Sequence, residues 1–194
     1  MPTKTKANWV APAVRENLSD QAYAGVRRAL MHAELMPNET LNLRPIAKLF
    51  NISVTPMREA LLRLVSENVL AINDRGTIVV PALTLDEMLE IQTIRIDLEG
   101  RAAFAAASTP SGLKADVLEN LHNKMLGAKQ QERRQETLSW NAQFHLELCR
   151  YGEAPITYEI IENLWVRCGP SLIHLFDVGT EEWTPHPHLE VIAA

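Results

Sequence analysis

Between Asn68 and Pro81 the apolar pattern leaves helical spacing for two short β-prone runs, Val69-Leu70-Ala71-Ile72 and Thr77-Ile78-Val79-Val80. Asn73-Asp74-Arg75-Gly76 separates them, a glycine-bearing turn that joins the runs into a hairpin. No β-prone run of comparable strength follows Pro81. A lone hairpin does not make a stable core in water, so the fold must be built from helices. The spacing predicts a mainly α chain, with three helices before the hairpin and an all-helical bundle after it.

Ser19 is placed to cap a first helix running to about residue 33, with Tyr23, Val26, Leu30 and Met31 on its apolar face. Met36-Pro37-Asn38-Glu39 reads as a turn. A short helix follows from Arg44 to Phe50, and Asn51-Ile52-Ser53-Val54 breaks it. Thr55 and Pro56 are expected to open the third helix, whose apolar set is Met57, Ala60, Leu61, Leu64 and Val65. Beyond the hairpin, Thr84 and Glu87 form a capping box ahead of a broad apolar stripe of Leu85, Met88, Leu89, Ile91, Ile94, Leu98 and Ala102. Further helices are expected over 113–128, 135–151 and 155–168, with another segment near 170–178 and a last helix opened by Thr184-Pro185. The chain thus divides into a flexible arm at 1–17, a winged helix-turn-helix at 18–81 and an all-α helical-bundle effector domain at 84–194.

Charge is unevenly shared. Residues 1–80 carry a net +3 and residues 81–194 a net −8, for −5 overall. A basic front half suits a phosphate partner while an acidic back half keeps the protein soluble. No apolar run approaches a membrane span, and the two lysines near the N-terminus precede no apolar stretch, so neither membrane nor secretory signal is expected. Two cysteines, Cys149 and Cys168, form no CxxC pair and read as buried thiols in a reducing cytoplasm.

Three helices and a hairpin in this order are the layout of a winged helix-turn-helix, which places its third helix in the major groove of double-stranded DNA and its wing alongside. Ser53, Val54 and Thr55 stand where that helix begins, with Ser53 and Thr55 able to donate to phosphates or base edges. Arg58 can take guanine or phosphate. Arg44 begins the second helix within reach of the backbone, and Arg75 with Gly76 forms the wing tip toward the minor groove. Arg63 reads as a solvated surface charge, and Thr55 as a helix cap that can also contact phosphate.

Ser53-Val54-Thr55-Pro56-Met57-Arg58-Glu59-Ala60-Leu61, then Arg63-Leu64, Glu67-Asn68-Val69-Leu70 and Arg75-Gly76, resemble the GntR family of regulators. The family usually has arginine where this chain has Val54, which implies a different operator preference. Asn38 and Asn68 stand where the family usually has glycine, and asparagine tolerates left-handed backbone.

The back half resembles the FadR-type subfamily with its FCD ligand-binding domain. Arg95 and Glu99 match its R-x-x-x-E element, Asn141 to His145 its D-x-x-F-H, and His188 to Ala194 its H-x-x-I-x-x-A. The resemblance implies a divalent metal (zinc, nickel or manganese) held by Asn141, His145 and His188, or else a polar pocket without metal. Asn141 offers only a carbonyl oxygen where the family has Asp, and the family's final histidine falls past Ala194, so the domain reads as lacking its last helix. A small carboxylate effector is implied, bound at His145 and His188 or paired with Arg95. His32 and His122 read as surface or packing residues, and His174 as packing or pocket lining. His186, two residues from His188, faces elsewhere.

No P-loop, GxSxG or HExxH occurs, so an enzyme is not expected. The expected function is a ligand-responsive transcription regulator acting as a homodimer on palindromic DNA. The competing readings are a helical metal-binding enzyme acting on a small carboxylate and a winged module that binds protein.

Overall fold

A computed structural model describes residues 18–108, 115–174 and 187–193. Its element order is α1 (Leu18–Met31), α2 (Leu43–Leu49), α3 (Val54–Ser66), β1 (Ala71–Ile72), β2 (Ile78–Val79), α4 (Leu85–Ser108), α5 (Ala115–Gln130), α6 (Arg134–Tyr151), α7 (Pro155–Leu172) and α8 (Pro187–Ala193). The expected arm at 1–17 and the Thr184-Pro185 helix start lie outside the described residues, as does His186.

The front unit closes on one apolar cluster. Ala22, Val26 and Leu30 recur every fourth residue of α1 and meet Met57, Leu61 and Leu64 of α3. The hairpin pairs Ala71 with Val79 and Ile72 with Ile78. Its turn is fixed by Asn73, whose Oδ1 accepts the amides of Arg75 and Thr77, both at 3.0 Å. Gly76 sits at φ 73°, where a side chain would be strained. Asn38 and Asn68 also adopt left-handed backbone, at φ 66° and 56°.

Several local expectations are corrected. Residues 38–41 form more than a turn. Asn38 N–H donates to Val80 O at 2.8 Å, Val80 N–H to Glu39 O at 2.9 Å and Leu41 N–H to Ile78 O at 2.8 Å, so the segment lines β2 as a third short edge. Helix α3 starts at Val54, not at Thr55-Pro56, with Ser53 extended before it and making no side-chain cap bond. Pro56 is still tolerated because first-turn amides have no acceptor within the helix. Likewise α1 already includes Ser19. Helix α7 does not stop at 168 but runs through Pro170, its face of Trp165, Val166, Cys168, Gly169 and Leu172 buried. That packing offsets the hydrogen bond the proline removes.

Behind the hairpin, the capping box forms as expected: Thr84 N–H donates to Glu87 Oε2 at 2.8 Å, and Glu87 N–H to Thr84 Oγ1 at 3.3 Å. The apolar stripe on α4 is only partly used. Ile91 and Ala102 are buried, while Leu85, Leu89 and Ile94 are exposed, together with Ile96 and Phe104. Helices α4, α6 and α7 close a second cluster around Trp165, Ile161, Ala142 and Leu146. Helix α5 packs chiefly on α6, and α8 lies against α5.

The two clusters meet along α1 and α7. Val166 of α7 belongs to the front cluster, and Ala33, just past α1, belongs to the back one. A Cβ on Gly169 would lie 2.5 Å from Leu30 O and 2.9 Å from Met31 Cα, so only glycine allows this approach. Arg27, 9% exposed, clamps the joint: Nη1 donates to Asn163 Oδ1 at 2.7 Å and Nη2 to Glu162 Oε2 at 2.8 Å.

Candidate functional site

Two regions carry chemistry. The first is a groove where α2 and α3 begin, lined by Asn42, Leu43, Arg44, Pro45, Val54 and Arg58. Arg44 and Arg58 are exposed and share this groove, although 14 positions separate them in sequence. Ser53 and Thr55 are exposed at the same helix start, and Val54 is half-buried between them. Arg75 and Gly76 stand exposed at the hairpin tip. Among the described residues no carboxylate pairs with Arg44, Arg58 or Arg75, whereas Arg27, Arg63, Arg95, Arg133 and Arg150 all have carboxylate partners. An unpaired guanidinium keeps its charge and its donor fork for an incoming anion.

Arg63 is not the simple solvated charge the sequence suggests. Its guanidinium lies 3.8 Å over the Tyr23 ring, and it bonds Glu67 at 3.1 Å and Asp20 at 3.3 Å. Tyr23 donates to Glu67 Oε2 at 2.6 Å and accepts from Arg27 at 3.2 Å. The C-terminal end of α3 is thereby tied through α1 to α7.

The second region lies inside the helical bundle. Arg95 and Glu99 are one turn apart on α4, and Arg95 Nε donates to Glu99 Oε1 at 2.7 Å. Trp165 of α7 donates its indole N–H to the same oxygen at 3.1 Å, and the Arg95 guanidinium lies 3.5 Å over the Trp165 ring. The other Glu99 oxygen takes His145 Nδ1 at 2.8 Å. Burial alone would raise the Glu99 pKa, but the His145 hydrogen bond and charge, and then Arg95, bring it down to about 2. Glu99 is therefore a fixed anion at one end of this cluster. Arg95 is engaged with it, so an effector reaching for Arg95 would compete with Glu99.

From His145 the contacts continue. His145 Nε2 faces His188 Nε2 at 3.3 Å, and His188 Nδ1 faces His122 Nδ1 at 3.3 Å. Phe144 stacks on the His188 ring at 3.7 Å, holding its plane. Of the two readings of His122, surface or packing, the structure bears out packing: it is a buried member of this row, 2% exposed. The sequence did carry a signal for it. Leu118, His122 and Met125 are all buried, which sets a polar ring on the apolar stripe of α5.

Asn141 lies one turn before His145 on α6 and is half-buried. Among the described residues no group of three or more His, Cys, Asp or Glu is arranged to hold a metal ion. Two donors do suit one: a tetrahedral shell with bonds of about 2.0–2.1 Å has edges near 3.3 Å, which is the Nε2 separation of His145 and His188. With Nδ1 tethered to Glu99, the His145 lone pair is directed to Nε2, as in carboxylate–histidine–metal arrangements. The cysteines offer no ligand. Both are buried, and burial pushes the Cys149 thiol up to about 12 and raises Cys168 as well.

Comparison with known proteins bears on both regions. Residues 18–80 match the family described as bacterial regulatory proteins, gntR family, and residues 90–194 match the FCD domain. The chain is 32% identical to the HTH-type transcriptional regulator McbR of Escherichia coli over 83% of its own length and 73% of that protein. It is 24% identical to the HTH-type transcriptional repressor RspR of Escherichia coli, covering all of this chain and 83% of RspR. The solved structure of E. coli McbR/YncC superimposes with a TM-score of 0.73 at 31% identity, covering 91% of this chain and 81% of that one. These relatives are named as transcription regulators rather than enzymes. Among the described residues no helix is long and apolar enough to cross a membrane.

Proposed function

Because the chain belongs to the GntR family of DNA-binding transcription regulators, with an FCD domain behind its winged reader, we propose that a small carboxylate bound beside His145 and His188 sets its hold on an operator. The observation that carries this reading is the side-chain cluster itself: two imidazole nitrogens 3.3 Å apart, one ring anchored to a buried carboxylate and the other stacked on Phe144. An anionic ligand needs positive charge there, because Glu99 already supplies a negative one. A divalent metal (zinc, nickel or manganese) would supply that charge and polarise the carboxylate. His145 and His188 would hold it, with the Asn141 carbonyl, water or the effector completing the shell.

DNA is met through Arg44, Ser53, Val54, Thr55 and Arg58 at the groove between α2 and α3, with Arg75 and Gly76 on the wing beside it. Two copies of the chain act together, since one small module makes too few phosphate contacts for tight binding. The exposed stripe of Leu85, Leu89, Ile96 and Phe104 on α4 is the face that the second copy covers. A regulator of this kind works beside bacterial DNA, in the cytoplasm.

Signal and reader share α7. Trp165 on this helix bonds Glu99 beside His145, and Glu162 and Asn163 on the same helix hold Arg27 of α1. A ligand that draws His145 away from Glu99 changes what Trp165 meets, and any shift of α7 is carried to α1. The effect is a population shift between two settings of the reading head, worth about 1–3 kcal/mol in typical cases.

His145→Ala tests this directly. The variant should keep its affinity for an operator selected from random duplexes, and lose the response to a panel of two- to six-carbon carboxylates that shifts the wild type. A variant that responds like the wild type would remove His145 from the site.

A further inference from the structure

We propose that Val54 is a specificity-determining residue of the reading head, selecting thymine through an apolar contact with its C5-methyl group. The inference rests on the reading that the groove between α2 and α3 meets duplex DNA, and deepens it by naming a base.

Helix α3 is the helix that a winged module lays in the major groove. It contributes two side chains to the groove lining, Val54 and Arg58. They are one turn apart and share a helix face. Arg58 is exposed and carries a charged donor fork, whereas Val54 carries only hydrocarbon. Val54 is the first residue of the helix and is half-buried, packed in part against the apolar cluster of the front unit. A β-branched side chain in a helix strongly prefers one χ1 setting, and this packing holds it there. The head of α3 therefore presents a fixed apolar knob, with exposed Ser53 and Thr55 on either side in sequence.

The base edges decide what such a knob can read. Adenine, guanine and cytosine present hydrogen-bonding atoms in the major groove, and thymine alone adds a methyl group. Valine laid against a donor or acceptor strips its water and returns no hydrogen bond, which is unfavourable. Laid against a methyl, it removes apolar surface from water on both partners. Val54 thus favours thymine at the base pair it covers and disfavours the other three bases.

The test changes the DNA before the protein. A duplex selected from random sequence by the full chain is resynthesised with deoxyuridine replacing each thymine in turn, which removes one methyl and nothing else. One thymine in each half-site should respond, its loss lowering affinity about four-fold for a contact burying roughly one methyl group. Cytosine paired with guanine at that position should bind more weakly still, and 5-methylcytosine should recover part of the loss. Val54→Ser, which has no methyl to offer, should bind the thymine and uracil duplexes alike, while Val54→Ile should keep the difference. The uracil scan needs no variant, so it decides even where Val54→Ser folds poorly. Wild-type affinity unmoved by uracil at every thymine overturns the proposal and leaves DNA binding by this groove standing. A uracil penalty undiminished in folded Val54→Ser gives the methyl contact to another side chain and also overturns it. A wild-type chain that binds no duplex at low salt overturns both readings.

Discussion

Arg58→Ala should lower affinity for a selected operator by about 1–3 kcal/mol per reading head, a 5- to 150-fold loss, with helical content unchanged. The size follows from where Arg58 sits. It lines the groove with Arg44, is exposed, and among the described residues no carboxylate shares its charge. Among the described residues no ion pair relies on it, so the melting curve should not move. Its guanidinium fork is exposed toward the nucleic acid. If Arg58 reads guanine, the variant relaxes sequence preference at one position of each half-site. If it holds phosphate, binding weakens uniformly and the salt slope falls by about one per head. Affinity equal to the wild type would take Arg58 out of the interface. The neighbouring Val54 bears on the same measurement: with valine where the family usually has arginine, a larger share of recognition falls on Arg58.

The second large effect is expected at the joint between the halves. Arg27→Ala should cost about 2–3 kcal/mol of stability and abolish the effector response while the protein still binds DNA. Breaking a fully buried pair costs about 3–5 kcal/mol. The lower figure is used here because the Glu162 side chain is 34% exposed and water recovers part of the loss. Loss of response follows from geometry: Arg27 is the side chain through which α1 bonds Glu162 and Asn163 on the helix that reaches the pocket. Thermal melting and effector titration of operator binding on one preparation separate the two effects. A folded Arg27→Ala protein with the full wild-type response would show that the signal travels another way. Arg27→Lys keeps the charge but loses the two-pronged fork, and should retain only part of the coupling.

Much of the local structure was legible from sequence because its determinants lie close together along the chain. The Asn73-to-Gly76 turn, the left-handed Asn38 and Asn68, and the Thr84–Glu87 capping box each depend on residues within a few positions of one another. The third edge at 38–41 escaped, since its partners in β2 lie some forty residues on. Arg27 escaped for the same reason, its partner Glu162 being 135 positions away. On α4 the period of the stripe was evident, but periodicity does not tell which apolar residues a neighbouring helix covers, and Leu85 and Leu89 stayed exposed. The buried His–Glu cluster was half visible. Glu99, His145 and His188 stood in motifs, whereas His122 joined them only because α5 and α8 pack together. A ring nitrogen on a buried stripe has to find a partner, and that partner is named only by the tertiary structure.

The central claim is that the groove between α2 and α3 grips duplex DNA in a two-chain complex. The most direct test is sedimentation of the chain with a selected duplex, and with a random one, across a series of salt concentrations. The account predicts two chains per selected duplex and a log–log salt slope steeper than about −3, from several phosphate contacts on each head. Weaker but equally salt-sensitive binding is expected on the random duplex. A chain that sediments alone beside either duplex at low salt would contradict it.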